Sequence, residues 1–363
     1  MATIKSSSAA GLSNGLLKSP VRLNPFWVFA IVLAVDLIDE LLVGYLTGHW
    51  TSSPTILGAR DDYPHWLVAF IFQPGVWAFF AWLPGATHTL LDRIGAEAIP
   101  EPRQADYRLS QEHFLKVAGS AWLYIISALL GVVLLILSLF YTSSYHPVPW
   151  TYALEWHRDT IWSLRLFLAG SIFSYCLIYS FMVIFFLNRV FGRYGVRLHL
   201  YHGDNVAGLK FIGDFDLKLN QLALILIVFL LSDLVLALQY GRGVGGQTNV
   251  IIEVIGFPII LLFGFVAPLV AVHRAMQEAK VAEINEKADQ IIDTLQKLSA
   301  ANPTKAQIDD LTALITLRER LNADIPTLPI DVTVLRTFSL NFVLSLIPAL
   351  VGATLQVIKL FRP

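Results

Sequence analysis

The sequence predicts an all-α integral membrane protein of about seven transmembrane helices. It places the N-terminus inside, the C-terminus outside, and a cytosolic helical hairpin between helices six and seven. Three observations carry that expectation. Of 363 residues, 55% are hydrophobic and 15% charged, with a mean hydropathy of +0.61, whereas soluble domains carry about 25% charged residues. The charges are nearly absent from several windows of about 20 residues, the helix length that crosses a hydrocarbon core of about 30 Å. These windows are apolar all round, unlike barrel strands, which alternate over about ten positions. Finally, Lys and Arg crowd into alternate connecting segments, 20 on one side against 6 on the other, the bias that orients helices in a membrane.

Residues 1–25 form a cytosolic N-terminal segment with Lys5, Lys18 and Arg22. The first apolar run, 26–46, is too long for the h-region of a signal peptide and lacks a small-residue cleavage site, so it reads as a retained helix. Further spans are expected at 66–83, 115–141, 161–188, 218–239, 250–272 and 337–358. The second is interrupted by Gln73-Pro74-Gly75, a break that membrane helices tolerate where neighbours or water satisfy the freed backbone groups. The chain thus divides into a six-helix region at 26–272, a hairpin at 273–330, and a seventh helix with a short outer tail at 331–363. Segments 84–114, 189–217 and 273–336 fall on the basic, cytosolic side. Trp50, Trp66, Trp150, Trp156 and Trp162 then fall at the outer boundary as an aromatic belt.

In the hairpin, Val281, Ile284, Ala288, Ile291, Leu295 and Leu298 step by three and four, a heptad seam. Asn302 and Pro303 offer an N-cap and a first-turn proline for a second helix, with Ile308, Leu311, Leu314, Ile315 and Leu321 on its apolar side. Two short amphipathic helices cannot bury both seams alone. They pack either on intracellular loops or on other copies of the chain.

Ionisable residues inside spans are costly and mark candidate functional sites. Asp36, Asp39 and Glu40 lie in the first span, Asp233 in the fifth, Glu253 in the sixth and Arg165 in the fourth, all between mid-membrane and the outer surface. One reading is an acidic outward-facing vestibule for inorganic cations or protons. The other is a buried network in which Arg165 neutralises one carboxylate and the others are protonated or hydrated. In the last span, Asn341, Thr354 and Gln356 are candidate pore-lining residues, with Pro348, Gly352 and Gln356 sharing a face. Ordinary close packing with polar interhelical contacts is the other reading of that face. His199, His202 and Asp204 have metal-ligand side chains but no ligand-pair motif, so no metal and no cofactor is expected. The segment Glu155-Trp156-His157-Arg158-Asp159 reads as a solvated outer loop. The single cysteine, Cys176, lies in an apolar run and reads as a packing residue. A net charge of −1 gives no pointer to nucleic acid.

The stretch His202-Gly203-Asp204-Asn205-Val206-Ala207-Gly208-Leu209-Lys210-Phe211-Ile212-Gly213 resembles the HPDxxGGLxFLG signature of a family of bacterial polytopic membrane proteins. His202, Asp204, Gly208, Leu209, Phe211 and Gly213 match; Gly203 stands for a proline and Ala207 for a glycine. The resemblance implies the bacterial inner membrane and no particular activity. From the residues alone, the expected function is a homo-oligomeric ion channel or ion-coupled transporter with an acidic outer cation site. A membrane sensor that relays through the hairpin is the alternative.

Overall fold

A computed structural model describes residues 23–53, 56–142, 148–198, 206–229, 244–299, 304–324 and 329–344, and these are mostly helical. Helix α1 runs from Pro25 to Thr47. Asn24 caps it, its side chain accepting from the Phe26 N–H at 3.0 Å. Gly48 ends it in the left-handed region at φ 68°, where glycine carries no side-chain penalty. Helix α2, His65–Ala98, and helix α5, Ser163–Tyr194, are the long helices of the first half. Between them lie α3, Gln104–Ala118, and α4, Ala121–Thr142. A two-residue parallel bridge joins β1, Ile56–Leu57, to β2, Val148–Pro149. Then follow α6, Lys210–Leu219, α7 at 221–229, α8, Val244–Ser299, α9, Lys305–Asp324, and α10, Val332–Leu344.

Helix α5 is the hub, packing on α4, α8 and α2, while α1 lies along α2 and α9 folds back on α8. The main core joins Leu83, Leu91 and Ile94 of α2 to Val183, Leu187 and Phe191 of α5 and to Val272 and Met276 of α8. A second cluster ties α8 to α10 through Phe265 and Phe338, whose rings stack at 3.8 Å.

The surface is inside-out by the standard of a soluble protein. On α1 the buried positions are Asp36, Glu40, Val43 and Gly44, while Phe26, Trp27, Ile31, Val35, Ile38, Leu42 and Tyr45 are exposed. Helix α4 likewise exposes Trp122, Ile125, Leu129, Val133 and Ile136. Apolar patches of that extent are untenable in water and suit a hydrocarbon solvent.

Among the described residues, two helices are long and apolar enough to cross a membrane: α2, and α5 together with the turn before it, His157–Tyr194. Helices α3 and α4 add a third only if their pair, bent by 40° at Gly119 and Ser120, counts as one span. Helix α1 has the length but holds three carboxylates within five positions. The expected count of seven spans is therefore not reached within the described residues. Residues 230–243 and 345–363, which carry parts of the fifth and seventh apolar runs, lie outside them.

Several boundaries differ from expectation. Helix α2 does not stop at Leu83 but continues through Pro84 to Ala98. At about 1.5 Å per residue its 34 residues span roughly 50 Å, well beyond a hydrocarbon core. Likewise α3 is separate from α4, because Gly119 and Ser120 break the run that begins at 115. Helix α9 starts at Lys305 rather than at Pro303. Its cap is Thr304, whose N–H and hydroxyl both donate to the Gln307 side chain at 2.9 and 3.1 Å, one half of a capping box.

Candidate functional site: a buried carboxylate–arginine–histidine cluster

The site begins with the register of α1. Asp36 and Glu40 are four residues apart and share a face, and Asp39 borders it. That face meets α2 and α5. From α5, Arg165 extends its guanidinium across the three carboxylates. Its Nη1 lies 2.6 Å from Asp39 Oδ2 and 2.8 Å from Glu40 Oε1, and its Nη2 lies 3.0 Å from Asp36 Oδ1. Gln73 of α2 accepts from Arg165 Nε and Nη2 at 3.4 and 3.3 Å. A planar fork of N–H donors suits this task as a lysine ammonium would not.

Two imidazoles complete the cluster. His65, at the start of α2, places Nε2 2.8 Å from Glu40 Oε2. His157 places Nε2 3.2 Å from Asp39. The His65 backbone N–H donates to Asp62 Oδ1 at 3.3 Å, so a fourth carboxylate lies one turn from the imidazole. Burial holds the Asp62 carboxyl above the usual aspartate range, against the opposing pull of His65. Glu40 is fully buried, and Asp36, Asp62, His65 and His157 are also buried. Asp39, at 16% side-chain exposure, is the carboxylate nearest the surface.

The main chain is distorted at this place. α2 passes through a π-helical turn at Val68–Phe72, and α5 is preceded by another at His157–Trp162. Such turns are frequent at functional sites. Here they set the two long helices so that Gln73, Arg165 and His157 all face α1.

A cap closes over the cluster. Residues 48–53 and 56–62 fold back on the end of α1, and the parallel bridge ties them to the segment before α5. Glycines permit the approach: a β-carbon on Gly58 would fall 2.2 Å from the Thr51 carbonyl carbon, and one on Gly44 would fall 2.9 Å from the Trp50 ring. Inside the cap, Trp162 stacks on His65 at 5.0 Å, Trp150 meets His65 edge-on at 5.7 Å, and the Trp66 indole N–H donates to Ala59 at 2.7 Å.

The structure thus brings together Asp36, Asp39, Glu40 and Arg165. Asp233, Glu253, Thr354, Gln356, His202 and Asp204 lie outside the residues whose side chains are described, and Asn341 is half-buried on α10. Gly208, at φ 85°, and Ala207, at φ 55°, make the turn that leads into α6. Gly213 lies against the Pro329 carbonyl, where a β-carbon would fall 2.3 Å from its oxygen.

Three features run against the expectation from sequence. Gln73-Pro74-Gly75, taken as an interruption, is helical, and Gln73 lines the cluster because a polar side chain there can serve Arg165. The segment Glu155–Asp159 is not wholly solvated: its π-turn carries His157 inward to Asp39. Trp150 and Trp162 are buried around His65 instead of joining an exposed belt, whereas Trp50 and Trp156 are exposed. His65 and His157 were missed because a lone histidine at the end of an apolar run carries little signal. The spacing of Asp62 and His65 was the one available hint.

The chain matches no family model, no curated protein and no solved structure. The resemblance at 202–213 therefore rests on those residues alone.

Proposed function

We propose that the chain is a multi-pass protein of the bacterial inner membrane, of seven spans, that couples to protons or inorganic cations at the Asp36–Asp39–Glu40–Arg165–His65–His157 cluster. In this reading the cap is on the outer side, and α2 and α5 cross the bilayer. The observation that carries it is the charge balance. Three carboxylates surround one permanent cation, and a fourth, Asp62, lies beside His65. With either imidazole neutral, the buried group retains excess negative charge even when Asp62 is protonated, and unpaired charge in a low-dielectric interior is expensive. The excess is relieved by taking up a proton or a small cation, and Asp39, partly exposed beside His157, is the place where either would arrive.

The basic bias of the segments opposite the cap supports this orientation. Self-association is supported by the hairpin of α8 and α9, where Val281, Leu295, Ile308 and Ile315 remain exposed among polar residues. Proteoliposomes containing a pH-sensitive dye test the function. Wild-type protein moves protons, or a monovalent cation with reciprocal pH change, and Asp36→Asn with Glu40→Gln reduces that flux at least tenfold while the protein still inserts. Equal flux in the double variant and wild type removes the cluster from the pathway.

A further inference from the structure

A second buried carboxyl lies far from the cap, on α6. Asp216 is 2% exposed, and among the described residues neither of its oxygens has a hydrogen-bond partner. One turn on, Asn220 is also buried, and its Nδ2 is likewise unpartnered. Gly213, Asp216 and Asn220 are spaced by three and four and so share one helical face. Contacts locate that face at both ends. Gly213 lies against the Pro329 carbonyl, and Gly264 of α8 lies against Asn220, where a β-carbon would fall 3.5 Å from Oδ1. Asp216 thus sits in the crevice between α6, α8 and the segment leading into α10. The 202–213 motif supplies the turn and the close approach that hold α6 there.

Such a carboxyl has few physical options. Desolvating an ionised carboxylate without a cation or donor is costly, and the group neutralises instead. The charged neighbours are committed elsewhere. From α2, Asp92 engages His88 and Gln111, and Arg93 pairs with Glu97 and covers the Phe211 ring. Lys210 is bound to Asp331 of the segment before α10. On α6 itself, Asp214 and Lys218 are two residues away and point to other faces. Burial acts on the Asp216 carboxyl, raising it well above the usual range.

We propose that Asp216, with the Asn220 amide beside it, is a proton-binding site on the basic side of the fold, distinct from the capped cluster. In its neutral form the carboxyl is both donor and acceptor, so it fits the Asn220 amide, which offers both. This site does not require the capped cluster to conduct, and a failed flux assay would leave it standing.

Infrared spectroscopy of the full chain in nanodiscs, labelled with 13C-carboxyl aspartate, tests the proposal. At neutral pH the wild type shows a protonated aspartate C=O band that Asp216→Asn loses. In the wild type this band moves in D2O and disappears on alkaline titration. Asn220→Leu keeps the band at a shifted frequency, and this variant together with wild-type deuterium exchange decides the matter if Asp216→Asn does not fold. A band unchanged in Asp216→Asn, or one indifferent to D2O and to Asn220→Leu, overturns the proposal. Conversion of the band to carboxylate by sodium at constant pH also overturns it, in favour of a sodium site.

Discussion

Replacing Arg165 by Gln removes the one permanent cation of the capped cluster. The side chain gives up contacts at 2.6, 2.8 and 3.0 Å to three carboxylates. A pair of charges about 4 Å apart attracts by roughly 4 kcal/mol at an effective dielectric of about 20, so three contacts amount to a gross attraction of about 12 kcal/mol. Most of it is offset by desolvation of the guanidinium and by repulsion among the carboxylates. Breaking a buried ion pair from one side destabilises by about 3–5 kcal/mol net, and that is the expected loss at neutral pH. In thermal terms it corresponds to roughly 4–7 °C. The assay is thermal unfolding in mild detergent, read by size-exclusion fluorescence at neutral and acid pH. The deficit should shrink as pH falls, because protonated carboxyls no longer need the cation. Adding Asp36→Asn and Glu40→Gln to Arg165→Gln should recover most of the loss. An Arg165→Gln protein within about 1 °C of wild type, or a deficit of the same size at acid pH, would falsify the electrostatic account.

The cap depends on backbone approach at Gly58, so Gly58→Ala should destabilise by about 1–3 kcal/mol, with protease cleavage between 48 and 62 as the readout; unchanged resistance contradicts it. Lys210 holds Asp331 below the ordinary aspartate value of 3.8, chiefly through a direct hydrogen bond. A carboxyl depressed by folding stabilises above its unfolded pKa and loses that contribution as pH falls through the folded value. Hydrogen exchange at 329–335 should therefore accelerate below about pH 4 in wild type but show no such step in Lys210→Met. A charge on the hairpin seam, Ile291→Asp, costs about 2–4 kcal/mol if the site is fully desolvated and should reduce the particle size in mild detergent. Retention of the wild-type size argues against self-association there.

Parts of this arrangement could be read from residues alone. Asn24-Pro25 announces the start of α1, and carboxylates at 36, 39 and 40 on an apolar helix demand a partner, for which Arg165 was the nearest basic candidate. Helix α8 keeps its apolar stripe far past the sixth run, so its extension to Ser299 follows from periodicity. What could not be read depends on contacts between distant segments. Nothing local says that His157 turns inward, since it does so through a π-turn and an Asp39 that lies 118 positions away. Nor does the sequence announce that Trp150 is enclosed, because a tryptophan at a span boundary serves lipid and protein equally well. Pro84 misleads in the other direction: proline lowers helix propensity, yet packing on both flanks carries α2 through it. The Thr304–Gln307 cap was legible by spacing, but Asn302-Pro303 offered a competing start.

Sidedness is the claim on which the functional reading depends, because the cluster exchanges with the outside only if the cap lies there. Single cysteines at Ser53, exposed in the cap connection, and at Thr304, exposed before α9, measure it directly. The native Cys176 is fully buried and should stay silent. With an impermeant maleimide on intact spheroplasts, Ser53→Cys should react at once and Thr304→Cys only after permeabilisation. Reaction of Thr304→Cys in intact cells, with Ser53→Cys protected, would invert the protein and turn the cluster toward the cytosol.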